Sequence, residues 1–206
     1  MNAIFSTAQH AIQSDRGLAN VRLNPDFRYL RITIDGRLAF VALGEVDNHP
    51  QGPIEVWFSA EREVLRFQNG RLVGATGLTT EWRNVAVPKI PEWSALARSE
   101  QPFAWTRVRD VMPGYRFGVK ERLTLQPVSA PRRSALQLID PQNLAWFEER
   151  LDGRAFAKEL NLPPARYAVD LSDGSGTVVY GEQCLAADLC FTWQRWRAEF
   201  QGLAGR

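Results

Sequence analysis

Residues suited to catalysis and metal binding are scarce in this sequence. Its 206 residues include two histidines and two cysteines. Histidine is the usual general base near neutral pH, and a zinc site draws its ligands mainly from these two residue types. No glycine-rich nucleotide loop, H-E-x-x-H pair or G-x-S-x-G turn occurs either. We therefore expect a protein without a metal ion, without a cofactor and without enzymatic activity.

Long apolar runs and concentrated charge are absent as well. No stretch approaches the ~20 apolar residues of a membrane helix, and residues 1–14 lack the basic start and apolar centre of a secretory signal. Taken alone, this indicates a cytosolic protein. The formal net charge is +2, with basic and acidic residues interleaved along the chain. Because phosphate binding needs concentrated lysine and arginine, we do not expect nucleic acid as a partner.

What is present is the composition of an ordinary globular domain, with 45% apolar and 23% charged residues. A domain of this length buries roughly 70% of its unfolded surface, which is enough for a core. Apolar residues between Asn2 and Ser14 recur at helical spacing. We predict a helical segment over residues 1–19 and a single domain over residues 20–206.

A pattern of short strands and tight turns dominates the remaining sequence. Phe27–Val46 holds two apolar arms around Asp35-Gly36, a dipeptide typical of two-residue hairpin turns. Asn69-Gly70 marks a second hairpin and Met112-Pro113-Gly114 a third. About ten to twelve short strands occur at fairly regular spacing, without alternating helices. The pattern predicts a mainly β fold, either a barrel or a sandwich.

Tryptophan and arginine supply the candidate binding residues. Aromatic rings can contact a ligand or partner, but they more often fill cores. Trp193 and Trp196 are an odd number of positions apart, so we expect one of them on the outer side of the sheet or at an interface. Arg107 and Arg109 share one face of a predicted strand, and so do Arg195 and Arg197. Such pairs could contact an acidic polymer, or they could pair with acidic strand neighbours such as Glu121 or Glu148. The candidate binding residues are Trp105, Arg107, Trp193, Arg195, Trp196 and Arg197.

Adjacent carboxylates raise the question of glycoside hydrolysis. Glu148 and Glu149 are neighbours in a predicted strand, so they point to opposite faces and cannot flank one glycosidic bond. His49 lies near Glu45 and Asp47, in a segment rich in turn-forming residues. We interpret that segment as a solvated loop.

The two cysteines enclose a short segment. Cys184 and Cys190 are separated by five residues, which is not a common metal-site spacing. In an oxidising compartment they would form a disulfide. In the cytosol they would be two small buried apolar residues. The residues alone leave both alternatives open.

Several sequence blocks occur in an order that resembles a known family. The first blocks are Tyr29-Leu30-Arg31, Phe40-Val41-Ala42-Leu43-Gly44, Trp57-Phe58-Ser59 and Asn69-Gly70-Arg71-Leu72. Weaker blocks are Trp105-Thr106-Arg107 and Tyr167-Ala168-Val169-Asp170, the latter before an Asp173-Gly174 turn. From residue 20 onward, the order and spacing are similar to the GfcB/YjbF lipoproteins of group 4 capsule and extracellular polysaccharide secretion systems.

The resemblance implies a fold and a location. The fold would be an antiparallel, barrel-like or strongly curved sheet with minor helical turns. The protein would be held in the outer membrane by a lipid and face the periplasm. Family members begin with a signal peptide and a lipidated cysteine, which this sequence lacks, so we expect it to be the mature part without its anchor. An oxidising periplasm would also favour the Cys184–Cys190 disulfide.

The resemblance also implies a function without catalytic residues. The protein would be a non-enzymatic accessory of polysaccharide assembly or export. Its partners would be an outer-membrane β-barrel and periplasmic proteins of the same secretion operon, and the polysaccharide itself. The alternative is a lipid or lipoprotein carrier that holds an acyl chain inside the barrel. A large dry cavity would favour the carrier, whereas a barrel filled by Phe and Trp side chains would speak against it.

Overall fold

A computed structural model of the protein describes residues 22–34, 36–99, 101–153 and 161–200. These residues form a closed barrel of twelve antiparallel strands, in which each strand pairs with the next and the last pairs with the first. The predicted mainly β, barrel-like fold is therefore confirmed. The predicted helical segment over residues 1–19 lies outside the described residues, so the division into segment and domain stays a prediction.

The strands are short and follow one another along the chain. They are β1 (Tyr29–Ile34), β2 (Arg37–Asp47), β3 (Ile54–Phe58), β4 (Val64–Gln68), β5 (Arg71–Thr76), β6 (Glu81–Ala86), β7 (Phe103–Met112), β8 (Arg116–Val128), β9 (Ala145–Leu151), β10 (Ala165–Asp170), β11 (Thr177–Ala186) and β12 (Leu189–Trp196). Within the described ranges there is one α-helix, α1 (Trp93–Arg98), and there are two 3-10 turns, Pro141–Asn143 and Ala198–Phe200. No helix in these ranges is long and apolar enough to cross a membrane.

The three predicted hairpins are present. β1 and β2 pair up to Ile34 opposite Arg37, and Gly36 between them has a φ of +74°. In the β4–β5 turn, Asn69 and Gly70 have φ angles of +49° and +76°. A type I′ turn needs positive φ at both central residues, which explains the Asn-Gly pair. The β7–β8 hairpin turns between Met112 and Arg116.

The lumen of the barrel is filled by large side chains. Ile32 of β1 lies opposite Trp193 of β12, which closes the sheet on itself. Gly181 on β11 makes room for Trp193, since a Cβ at that position would lie 2.5 Å from the indole Nε1. Other large buried apolar residues of the same core are Trp57, Phe67, Trp82, Phe147 and Tyr167. Each such side chain stabilises the fold by about 1.5–3 kcal/mol, so the barrel has a core of its own.

Helix α1 was not predicted from the sequence. It lies in the proline-bearing connection between β6 and β7 and buries Trp93 and Leu96 in the barrel core. The Trp93 Nε1 donates to the Asn69 carbonyl at 3.0 Å, which joins the helix to the β4–β5 turn. A helix of six residues is too short to show a reliable 3.6-residue period, so the sequence pattern could not reveal it.

The alternating strand directions give the barrel two distinct ends. The connections after β2, β4, β6, β8 and β10 lie at one end, together with α1, and we name it the helix end. The connections after β1, β3, β5, β7, β9 and β11 lie at the other, which we name the hairpin end. Cys184 and Cys190 form a disulfide that joins β11 to β12 near the hairpin end. The disulfide alternative for these cysteines is therefore confirmed.

Candidate functional site

A groove of about 560 Å³ crosses the rim of the barrel at the helix end. The start of β1, the β10–β11 turn and the end of β12 contribute its walls. Three residues of the predicted binding set, Arg195, Trp196 and Arg197, line it. Other lining residues include Arg28, Tyr29, Asp173 and Phe200. We name this surface the helix-end groove.

The exposed aromatic rings beside the groove are not those that the sequence indicated. Trp196 faces the outside of the barrel, as expected for one of the two tryptophans, but its side chain is covered and 4% exposed. Its ring lies 5.6 Å from the Phe200 ring and 6.2 Å from the Phe40 ring. Tyr29 is half-buried opposite Trp196 in the sheet, with the Phe27 ring 6.5 Å away. Tyr29, Phe200 and Phe27 therefore offer the accessible aromatic surface.

Arg195 is fixed in the wall of the groove by a bidentate ion pair. Its NH1 and NH2 groups donate to the two carboxylate oxygens of Glu55 at 3.0 and 2.9 Å. Its Nε donates to the Val178 carbonyl at 2.9 Å. Parallel hydrogen bonds of this kind are strong and directional. Arg195 is therefore held in the wall, and Arg28 and Arg197 are the more exposed cations of the groove.

Asp173 supplies a fixed negative charge on the opposite rim. Its carboxylate accepts hydrogen bonds from the backbone N–H groups of Ser175 and Gly176 at 3.0 and 2.9 Å, and from the Thr177 hydroxyl at 2.8 Å. These bonds, led by the one from Gly176, lower the pKa of Asp173 to about 2. The carboxyl group is therefore ionised at any physiological pH. It organises the β10–β11 turn and offers acceptors to a ligand.

A second polar cluster lies inside the barrel rather than at its rim. Arg107 and Arg109 of β7 donate to Glu121 of β8, with Nε–Oε2 distances of 2.8 Å for both and an Arg109 NH2–Oε1 distance of 2.6 Å. Both guanidinium groups also stack on the Trp82 ring at 4.5 and 4.3 Å. The expected pairing of these arginines with an acidic strand neighbour is confirmed for Glu121.

The protonation of Glu121 follows from two opposing effects. Burial raises the pKa of Glu121, but the hydrogen bond from Arg109 and the charges of Arg107 and Arg109 outweigh it. The pKa of Glu121 is therefore lowered, and the carboxylate stays ionised inside the barrel. Burial in turn lowers the pKa of Arg109, which Glu121 partly offsets.

Glu148 and Glu149 point to opposite sides of the sheet, as predicted. Glu149 faces the lumen, where the Tyr167 hydroxyl donates to it at 3.2 Å and the Arg71 Nε lies 3.6 Å away. The 3.6 Å contact is an ion pair too long to be a hydrogen bond. Glu148 faces outward and contacts the guanidinium group of Arg166. Burial, followed by the charge of Glu149, raises the pKa of Tyr167 well above its usual value.

Arg71 and Trp93 are lumen partners that no sequence pattern indicated. The Arg71 guanidinium lies 4.0 Å from the Trp93 ring centroid. This contact joins β5 to α1, and these two elements lie next to each other because the barrel closes. A cation–π pair of this kind could be found only from the tertiary structure.

The six predicted binding residues therefore fall into two groups. Arg195, Trp196 and Arg197 lie together in the helix-end groove. Trp193, Trp105 and Arg107 are buried, with Trp193 in the barrel core and Arg107 paired with Glu121. The structural contacts of this second group account for their positions. Binding by the first group stays a prediction.

The lumen offers little space to a ligand where its polar residues meet. A cavity of about 20 Å³ lies between Trp82, Arg107, Glu149 and Tyr167. Ligand pockets usually measure about 300–1,000 Å³. Within the described ranges, no cluster of His, Cys, Asp or Glu has the make-up of a metal site.

The chain is similar to known proteins in sequence and in fold. The family model described as "Group 4 capsule polysaccharide lipoprotein gfcB, YjbF" matches residues 8–192. No curated protein matches the chain in sequence. The crystal structure of the hypothetical lipoprotein YmcC from Escherichia coli (K12) superposes with a TM-score of 0.61 and 17% identity, over 91% of this chain and 97% of that one. At this identity the likeness shows the fold. The match over most of its length identifies the chain as a member of the YjbF (GfcB) family of capsule polysaccharide lipoproteins.

Proposed function

We propose that this protein is a non-enzymatic accessory of capsular or extracellular polysaccharide assembly or export. In this proposal a lipid holds it at the periplasmic face of the outer membrane. It binds an outer-membrane β-barrel and periplasmic proteins of the secretion operon, and it contacts the polymer through the helix-end groove. The observation that carries the proposal is the family match over residues 8–192, to lipoproteins described by their relation to capsule polysaccharide.

The make-up of the helix-end groove supports a contact with sugar. Tyr29 and Phe200 offer apolar ring surface, which can pack against the C–H faces of a sugar. Arg28 and Arg197 supply donors, and Asp173 supplies acceptors, for hydroxyl groups. The volume of about 560 Å³ lies within the usual range for ligand sites.

The electrostatics of the groove support binding rather than catalysis. A glycosidase needs one carboxylic acid with a raised pKa to protonate the leaving oxygen. Asp173 has the opposite property, since its turn lowers its pKa to about 2. Its hydrogen bonds from the backbone N–H groups of residues 175 and 176 favour the ionised form, which accepts hydrogen bonds but has no proton to give to a leaving group.

The filled lumen speaks against the alternative of an acyl-chain carrier. Trp57, Trp193 and Phe67 occupy the barrel interior, together with the Arg107–Glu121 ion pair. An acyl chain would have to displace these groups and to lie beside buried charges, which costs free energy. The proposed role therefore places ligand contacts on the rim rather than in the barrel.

The proposal is tested in cells that lack the gene. The missing protein is supplied either unchanged or as Tyr29→Ala/Arg197→Ala, and surface polysaccharide and protein abundance are measured together. We expect the groove variant to accumulate normally but to restore less polysaccharide. Arg62→Ala, an exposed arginine in the β3–β4 connection at the hairpin end, is the matched control. A normal amount of surface polysaccharide in cells without the protein would refute the role in assembly or export. Full restoration by the groove variant would refute polymer contact through the helix-end groove.

A further inference from the structure

The β7–β8 hairpin carries an aromatic tip at the hairpin end of the barrel. Tyr115 and Phe117 are 76% and 65% exposed, the highest values among the large apolar side chains of the described residues. Their rings lie 6.5 Å apart. Two neighbouring aromatic rings in water are costly for a soluble surface and usually mark a contact site. We name residues 112–118 the aromatic tip.

The backbone holds these rings outward. Tyr115 has a φ of +52°, which is uncommon for a bulky residue. The Gly118 N–H donates to the Asp110 carboxylate at 2.8 Å and closes the turn. Residues held in sparsely populated backbone conformations cluster at functional sites. The turn therefore presents Tyr115 to a surface outside the barrel.

On the β9 side, the tip extends past the last paired residues of the sheet. β8 pairs with β9 over residues 123–128, and the Asp152 N–H donates to the Arg122 carbonyl at 2.7 Å, whereas residues 116–121 lie beyond these contacts. On its other side, β8 pairs with β7 as far as Val111 opposite Arg116. A projecting hairpin can insert into a lipid surface, because such a surface needs no preformed cavity that is complementary to the hairpin.

Cationic side chains stand behind the tip. Arg122 and Arg83 have side chains that are 72% and 59% exposed, and Lys120 is exposed on the same hairpin. The Glu81 carboxylate accepts hydrogen bonds from the Gly77 N–H at 2.8 Å and from the Arg83 Nε at 2.7 Å. The exposed ion pairs of Arg83 and Arg122 contribute little in water and can exchange for other anions. Aromatic rings at the apex would reach the apolar side of a membrane interface, and cations set back from the apex would lie at the level of the phosphate groups.

A cleft beside the tip adds a second, independent feature. It measures about 380 Å³ and lies between the tip and the β5–β6 connection. Leu78, Met112 and Pro113 form its apolar wall, and the Arg83–Glu81 ion pair borders it. This combination fits the glycerol and first acyl carbons of a phospholipid, with the phosphate at the guanidinium group.

From these features we propose that the aromatic tip inserts into the interface of an anionic phospholipid membrane. Tyr115 and Phe117 enter the boundary between headgroups and acyl chains, while Arg83 and Lys120 contact phosphate groups. Such a contact adds to a lipid anchor, since stable attachment to a membrane commonly takes two signals. The inference does not depend on the polysaccharide role, and its failure would leave that role untouched.

The test is co-sedimentation of the 206-residue chain with vesicles. Vesicles of phosphatidylethanolamine and phosphatidylglycerol are compared with vesicles of phosphatidylcholine. We expect binding to the anionic vesicles that weakens as salt is raised. Tyr115→Ser/Phe117→Ser should lower the partition coefficient by about tenfold, because the inserted apolar area is lost.

Two further variants separate insertion from damage to the fold. Leu138→Ser removes an apolar side chain that is 48% exposed in the β8–β9 connection at the helix end, and it should bind as the unchanged protein does. Phe117→Trp should bind at least as well, since tryptophan favours the interface. Equal binding to both kinds of vesicle, no binding, or unchanged binding of the double serine variant would each overturn the proposal. Capture of an acidic protein instead of vesicles would do the same.

Discussion

Arg195 and Glu55 form a bidentate ion pair across the helix end of the barrel, although 140 positions separate them in the sequence. Arg195 lies on β12 and Glu55 on β3, with β1 and β2 between them. The pair joins the last strand of the barrel to β3, across the β12–β1 closure, and Arg195 forms part of the groove wall. It therefore connects the stability of the barrel with the shape of the candidate site.

We expect Arg195→Met to lower the free energy of unfolding by about 2 kcal/mol, because charged hydrogen bonds at a partly buried position are lost. Arg197→Met is the matched control. Its side chain is 74% exposed and its pair with Glu199 spans 3.7 Å, so little change is expected. Urea denaturation of both variants measures the difference. Equal midpoints for both variants would contradict a structural role of the Arg195–Glu55 pair.

Removal of Glu121 alone should be more damaging. In Glu121→Gln, Arg107 and Arg109 keep their charges inside the barrel without their carboxylate, at a cost of about 3–5 kcal/mol. Replacement of the whole cluster, Arg107→Met with Arg109→Met and Glu121→Leu, should be close to neutral, because no buried charge is left unpaired. Chemical denaturation compares the two variants. A triple variant as unstable as Glu121→Gln would show that the ion pairs themselves stabilise the barrel.

The same cluster predicts sensitivity to acid. The pKa of Glu121 is lower in the folded protein than in the unfolded chain, so the folded state binds its proton less readily. Its contribution to stability is complete above the unfolded pKa of about 4.3 and is lost as the pH falls through the folded pKa. Thermal unfolding between pH 7 and pH 3 should therefore show a steeper loss for the unchanged protein than for the triple apolar variant. Parallel curves would contradict this assignment.

The disulfide should stabilise the protein modestly. Cys184 and Cys190 are six positions apart, so the loop that they close is short. For such a loop the entropy that the crosslink removes from the unfolded chain corresponds to about 2 kcal/mol. Cys184→Ser/Cys190→Ser should therefore unfold at lower urea concentration. A reducing agent should destabilise the unchanged protein to the same degree and leave the double variant unaffected.

Local sequence signals predicted the strands and the turns well. Asn69-Gly70 and Asp35-Gly36 mark hairpins because few other dipeptides accept positive φ at low cost, and the first of these pairs has the expected angles. The side-chain alternation of strands also predicted that Glu148 and Glu149 face opposite ways. These properties depend on neighbours within a few residues, which is why the sequence alone was sufficient.

The candidate site could be predicted only in part. Arg195, Trp196 and Arg197 are consecutive, so the sequence alone predicts that they lie close together, as they do in the groove. The cover that Phe200 and Phe40 provide over Trp196 depends on contacts between distant strands. The helix α1 was missed because its six residues are held by burial of Trp93 rather than by a periodic pattern.

The sequence by itself determined the mainly β class, the hairpins, the family and the candidate cysteine pair, since each depends on residue type and short spacing. The tertiary structure decided the closure of the barrel, the ion pairs inside it and the groove at its rim. Closure sets β1 beside β12, and this register carries Arg195 to Glu55 and Trp193 into the core. Contacts between residues so distant in sequence are fixed by the packing and strand register of the whole barrel, which no local pattern specifies.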